Sequence, residues 1–341
     1  METTSTMTRK LNQVRNSFYV YLPRTWCDTY KLSKDSEVKI EQTLEGTLRI
    51  FPPEFEFHSS QRVKYEIDES SIDSIVMILI GSYIVGAGEL ELLFAEDLDI
   101  KTREDISQWV RRLPGFEILE EMGNSIIISD TSEKQVIFPI LKRQFSTVKY
   151  MLTSLIDVMK SGEHQEAGRI IDRDEDVDRH RYFVERLCHL ALQNPGYARR
   201  IEISPPDALH FSLAAKYIER IADHICSAIE QLLKIERIRS KLIRICEKLL
   251  DAYNETTSIF FRIDRSKSSE SKTDENAKKA FSSHTQTRTV SAQLDKIGSS
   301  SDDLSASETL LILHLSRIAS YCEDIAEVAM NRIIEFAFNR T

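Results

Sequence analysis

The sequence predicts a multidomain α+β protein: a small β-rich module, a small α/β unit, then two tandem three-helix bundles that make most of the chain helical. Three observations carry this expectation. In DALHFSLAAKYIERIADHICSAIEQLL, residues 207–233, Phe211, Ala214, Ile218, Ile221, Ile225, Ala228 and Leu232 recur at alternating spacings of three and four, the seam of a helix packed in a bundle. YIERIADHICSAIE from Tyr217 aligns without gaps on HLSRIASYCEDIAE from His314, so a helical unit is duplicated at an offset of ninety-seven residues. Alternating strand patterns and hairpin signals around Gly46 and Gly123-Asn124 fall before residue 131, and from about Glu133 the pattern is almost entirely helical.

The chain has 341 residues, enough for two or three domains with proper cores, and its 41% hydrophobic and 29% charged residues are ordinary for a soluble protein. A net charge of -9 argues against a surface built throughout for nucleic acid and leaves room for a local basic patch. Five scattered cysteines, with no Cys-x-x-Cys pair, suit a reducing compartment and carry little functional weight. METTSTMTRK is polar with no apolar run behind it, and the most apolar stretch, residues 74–88, is shorter than the ~18 residues of a membrane span. No transmembrane segment is expected, and the expected location is cytoplasmic.

Residues 1–8 read as a flexible tail. The module over residues 9–54 begins with RKLNQVRNSFYVYLPRTW, which contains Arg9, Lys10, Arg15 and Arg24 and no acid. Phe18, Val20 and Leu22 alternate with tyrosines as in a strand, and Arg15-Asn16-Ser17 forms a turn because Asn tolerates positive φ. A short helix through Trp26 and Tyr30 follows, then a hairpin around Gly46. A β-α-β-β module of this size buries little alone and is expected to dimerise.

Residues 60–131 form the α/β unit, with VKYEI and ELELLF as strands, helices at 72–85 and 104–112, and GFEILEEMGNSIIISD as a hairpin in an antiparallel or mixed sheet. It has no Gly-rich phosphate loop, nucleophile elbow or metal-ligand cluster, and reads as a spacer, dimer surface or effector pocket. The first bundle, 133–234, has helices at 136–160, 163–193 and 207–233, the last started by Ser204-Pro205-Pro206. The second bundle, 235–338, has helices at 235–261 and 305–338 around a polar insert, 264–303, expected to be a weak helix at best and partly disordered.

Glu219 and Asp223 are four apart, one turn from each other and away from the apolar seam; Asp174 and Asp178 form a second such pair on the preceding helix. Antiparallel packing would bring four carboxylates together, which repel unless a cation sits among them. Oxygen ligands favour magnesium, manganese or iron, and His180 or His224 would add a borderline ligand. The alternatives stay open: a solvated acidic face, or an ion pair from Arg181 or Arg220 to Asp174.

RKL, then SFYVYLPRTW, KLSKDSEVKIE and GTLRIFP, resembles the AbrB/MazE-type swapped-hairpin domain, in which two chains interleave strands and present arginine-bearing loops to DNA. The resemblance implies Arg9, Arg15 and Arg24 as DNA contacts, with Lys10 in support. Arg15-Asn16 stands where such domains often have glycines, and Lys34-Asp35-Ser36 where Gly-Asp is usual. DEDVD and ERIADH, in consecutive helices of a duplicated unit, resemble the PhoU family of phosphate-signalling proteins, whose E/D-x-x-x-D motifs bind multinuclear metal clusters. That resemblance covers residues 133–338, and the joined order resembles archaeal PhoU-type regulators over nearly the whole chain.

It implies Asp174, Asp178, Glu219 and Asp223 as ligands of a divalent or trivalent ion (iron, manganese, magnesium or zinc) in one cluster. In the second copy Glu219 and Asp223 become Ser316 and Ser320, while Asp174 and Asp178 fall on Ser271 and Glu275, so one site is expected. The function expected is a dimeric DNA-binding regulator of phosphate uptake and homeostasis. The alternative is a non-DNA-binding adaptor that restrains a phosphate ABC transporter or sensor kinase. A di-iron-type metalloenzyme ranks last, because the carboxylates lie off the seam and no substrate pocket can be named; no catalysis is expected.

Overall fold

The local signals become elements close to where the pattern puts them, in a computed structural model that describes residues 8–42, 46–53, 62–68, 71–132, 136–162, 167–262, 270–300 and 304–338. Residues 1–7 of the expected tail, and residues 264–269 and 301–303 of the expected polar insert, lie outside these. The chain divides into two units between residues 57 and 58.

In the first unit β1 (Asn12–Val14) and β2 (Ser17–Tyr19) form a hairpin, α1 spans Arg24–Thr29, and β3 (Lys39–Gln42) pairs antiparallel with β4 (Leu48–Phe51). The left-handed residue of the first turn is Arg15, with φ 53, rather than Asn16. A non-glycine residue there costs about 1–2 kcal/mol, and it sets Arg15 at the hairpin tip. Among the described residues of this unit only Pro52 is buried. Leu11, Phe18, Tyr21, Ile40 and Leu48 are exposed, so one copy of the module leaves its apolar side chains uncovered.

In the second unit β5 (Arg62–Ile67) runs parallel to β6 (Glu89–Phe94), with α2 (Ile72–Ile84) as the crossover. After α3 (Ile100–Arg111) the hairpin β7 (Phe116–Glu121) and β8 (Ser125–Asp130) completes a mixed sheet in the order β5-β6-β8-β7. Side-chain oxygens of Ser71 and Asp99 cap the two helices. Alternate residues of β6, Leu90, Leu92 and Phe94, enter a core shared with Ile75, Leu79, Tyr83 and Ile106.

The helical part comprises α4 (Ile137–Ser161), α5 (Ala167–Ile171), α6 (Asp174–Gln193), α7 (Pro195–Arg200), α8 (Pro205–Leu232), α9 (Ser240–Phe261), α10 (Glu270–Ser300) and α11 (Ala306–Phe338). The expected helix over 163–193 is interrupted by a turn at Asp172-Arg173. The chain restarts as α6 with Asp174, Glu175 and Asp176 in its first turn, where the helix dipole favours acids. Ser204 and Asp207 close a reciprocal capping box at the start of α8.

Residues 270–300, expected to be weakly helical at best, form a continuous helix against α11. Ala280, Ser283, Thr287, Val290, Leu294 and Ile297 are its buried seam, at spacings of three and four. Small and hydroxylated side chains fill half of that seam, which hides it from a hydropathy pattern. The Ser283 and Thr287 hydroxyls stay hydrogen-bonded, to Thr256 at 2.8 Å and to the Ser283 carbonyl at 3.1 Å.

The two bundles share one continuous core. Tyr253 of α9 donates to the Phe145 carbonyl of α4 at 2.7 Å, and the duplicated helices α8 and α11 pack antiparallel. Tyr217 stacks on Tyr321, and His224 meets His314 and Tyr321. Tyr217 aligns with His314 in the repeat, and His224 with Tyr321, so equivalent residues meet in exchanged pairs about a local two-fold axis.

Arg186 of α6 joins the sheet to the bundle. It is 1% exposed, donates to the Tyr83 and Ala87 carbonyls and the Asp130 carboxylate, and lies 4.8 Å from the Tyr83 ring centroid. Backbone and α6 also approach at Gly86, φ 93, where a Cβ would stand 2.6 Å from Leu190.

Candidate metal centre between α6 and α8

α8 is more deeply enclosed than a single seam implies. α11 covers one side, α6 another, and Glu219 is only 6% exposed. This corrects the expectation that Glu219 lies off the buried surface: α8 has a second buried face, lined by Ala215, Glu219, Ala222 and Ile229. α6 runs antiparallel to α8 across it, Arg181 reaching Glu219 and Asp174 reaching Cys226. Asp174, Asp178, Glu219 and Asp223 are therefore near enough for their charges to act on one another.

Their electrostatics show the crowding. Burial first, then the charges of Asp178, Asp223 and Glu219, push the Asp174 carboxyl up to about 7. Asp178 is pushed up to about 6 by burial and by Glu219 and Asp223, with Arg181 and Lys216 pulling the other way. Asp174 Oδ1 and Glu219 Oε2 are buried acceptors without a hydrogen-bond partner.

Basic side chains supply part of the compensation. Glu219 lies 3.4 Å from Arg181, 3.6 Å from Lys216 and 3.5 Å from Arg220. Arg181 also pairs with Glu185 at 3.1 Å, approaches Asp178 at 3.9 Å, and lies over the Tyr182 ring at 4.2 Å. Arg220 reaches Asp223 at 3.2 Å. The arginine pairing anticipated for Asp174 goes to its three neighbours instead. Of the two histidines, His224 is hydrogen-bonded to His314, and burial and the Arg143 charge lower the His180 pKa.

The spacing argument passed over Cys226, Lys216 and Glu185. Cys226, one turn beyond Asp223, hydrogen-bonds Asp174, and burial with the Asp174 and Asp223 charges pushes its thiol up to about 12. Its place three residues after Asp223 and seven after Glu219 was the signal.

Among the described residues, no group of three or more His, Cys, Asp or Glu is preassembled around a point where an ion would sit. The carboxylate oxygens that a hard cation would take as donors come from two helices, in a cluster with excess negative charge.

The second bundle differs at the equivalent place. Ser316 donates to Asp295 at 2.6 Å and lies 3.3 Å from Ser291, while Ser320 bonds the Ser316 carbonyl at 3.1 Å. The residues facing Ser316 on α10 are thus Ser291 and Asp295; the simple offset to Ser271 and Glu275 is wrong because α10 is shifted relative to α6. Glu275 pairs instead with Lys279 along its own helix. One turn and more away, His284 Nε2 stands 3.2 Å from Glu323 and 3.4 Å from Glu327.

The four basic residues expected at DNA are all exposed. Arg9 and Lys10 precede β1, Arg15 is the tip of the β1–β2 turn, and Arg24 begins α1, paired with Asp28 at 3.0 Å. Among the described residues, no helix is long and apolar enough to cross a membrane. No curated protein matches the chain. Residues 141–232, which hold α6, α8 and all four candidate ligands, match the family model of the PhoU domain.

Proposed function

We propose that this chain is a dimeric regulator of phosphate homeostasis whose N-terminal module binds DNA and whose PhoU domain reports a signal through a metal ion. The observation that carries this reading is the PhoU domain match on the helix pair whose acidic faces converge. An ion bound there would be held by Asp174, Asp178 and Asp223 and would supply positive charge that screens their repulsion. The apolar side chains left uncovered in one copy of the N-terminal module support dimerisation, with a second copy as their cover. Arg9, Lys10, Arg15 and Arg24 supply phosphate-binding charge on its exposed surface.

The test is capture of unselected fragments of the source genome by the full chain at two salt concentrations, beside an Arg15→Ala/Arg24→Ala variant. Enrichment of particular upstream regions, lost in the variant and weakened by salt, is the expected result. Weak, sequence-blind capture would overturn the DNA-binding part and favour an adaptor acting on a transporter or sensor kinase.

A further inference from the structure

The two edges of the four-stranded sheet differ. β7 is blunted: its register against β8 shifts between Ile118 and Glu120, and Glu117, Glu120 and Glu121 are its only charged residues. A second copy laid on that edge would meet a bulge and like charge. β5 pairs with β6 in unbroken register, and among the described residues no strand covers its outer side. Its outward N–H and C=O groups are open to another strand.

The two faces of β5 alternate. Val63 and Ile67 turn to the core, and Tyr65 between them is left 42% exposed. Arg62, Lys64 and Glu66 stand exposed on the opposite face, and the exposed Asp68 follows the strand. The charges are self-complementary about Tyr65. On an antiparallel second copy with Tyr65 facing Tyr65, Lys64 faces Glu66, Val63 faces Ile67 and Arg62 faces Asp68, each twice. A parallel copy in register would set Lys64 on Lys64 and Glu66 on Glu66. Within one chain Lys64 and Glu66 are 4.0 Å apart, with side chains 48% and 75% exposed, so both charges remain open to a partner. Arg62 is already held by Glu89 and Glu91, each at 3.0 Å, which leaves Lys64 and Glu66 to set the register.

We propose that β5 is an interface between two copies of this chain, its strands pairing antiparallel about a two-fold axis through Tyr65 so that two four-stranded sheets become one continuous sheet. The edge backbone groups are satisfied, the two Tyr65 rings cover each other at the axis, and Lys64 and Glu66 form two cross-strand ion pairs. This interface does not depend on dimerisation of the N-terminal module.

The experiment is disulfide trapping in the full chain, with the two partly exposed cysteines removed as Cys27→Ser and Cys226→Ser. Tyr65→Cys should give a covalent dimer on oxidation, because the axis sets each residue 65 opposite itself. Lys64→Cys, set opposite Glu66, should give several-fold less. Adding Lys64→Glu to Tyr65→Cys makes both cross-strand pairs repulsive and should slow trapping by about tenfold. Adding Lys64→Glu/Glu66→Lys instead should restore it. All three β5 positions are exposed, so the core is untouched. Equal trapping at residues 64 and 65, or trapping indifferent to Lys64→Glu, would overturn the pairing and leave the N-terminal module to hold the copies together. No covalent dimer at Tyr65→Cys would overturn it too, and leave the edge to a strand of another protein.

Discussion

His224 of α8 and His314 of α11 meet Nδ1 to Nδ1 at 3.0 Å, so one ring must donate and the other accept. Burial first, then His314 and the arginines at 317 and 220, push His224 down to about 4. Burial also lowers His314, with Glu230 opposing. A histidine lowered on folding binds fewer protons in the native state than in the unfolded one. The pair's contribution is therefore intact above the unfolded value near 6.5 and is lost as pH falls toward 4. The unfolding free energy of wild type should drop over that window by on the order of 1–2 kcal/mol more than that of His224→Gln/His314→Gln, after discounting for solvent at half-buried rings. Parallel pH profiles of the two proteins would refute the assignment.

Asp174→Asn should stabilise the metal-free chain at pH 8. The wild-type carboxyl, raised to about 7, is ionised there among like charges, and the amide removes that cost. Because the folded value is raised, native protein binds more protons than unfolded protein between about 4 and 7, and stability falls as pH rises through that window. The gain, about 1–2 kcal/mol with solvent screening allowed for, should shrink toward zero as pH falls below about 4 in urea titrations. The same variant should lose Mn²⁺ binding.

Arg186→Met should be among the most destabilising single changes. It leaves the Asp130 carboxylate and the Tyr83 and Ala87 carbonyls without their buried donor. Loss of one partner of such a pair costs about 3–5 kcal/mol. Hydrogen exchange should show β8 and the end of α2 opening before the bundle core.

Leu294→Ala tests whether α10 is an integral helix. Leu294 is fully buried against α11, and truncation there should cost about 2–5 kcal/mol. An unchanged chemical midpoint would mean that residues 270–300 do not pack as described.

Much of the fold was legible because its signals are local. The three-and-four spacing from Phe211 to Leu232 marks a seam whatever packs on it, and all seven residues are buried. ELELLF became β6 residue for residue, since alternation specifies a half-buried strand without naming its partner. The acidic pairs at 174/178 and 219/223 likewise placed their carboxylates on facing sides of two helices, where their charges act on one another.

Tertiary structure decided the rest, because burial and pairing depend on elements distant in the chain. Glu219 is buried only because α6 covers a second face of α8, and Arg181 serves Glu219 rather than Asp174 because the helices run antiparallel. α10 is a helix because α11 and α9 offer a surface close enough for Ala280, Ser283 and Thr287 to fill. The meeting of His224 with His314 requires the two copies of the repeat to pack about a local two-fold, an arrangement that duplication permits and that only long-range packing selects.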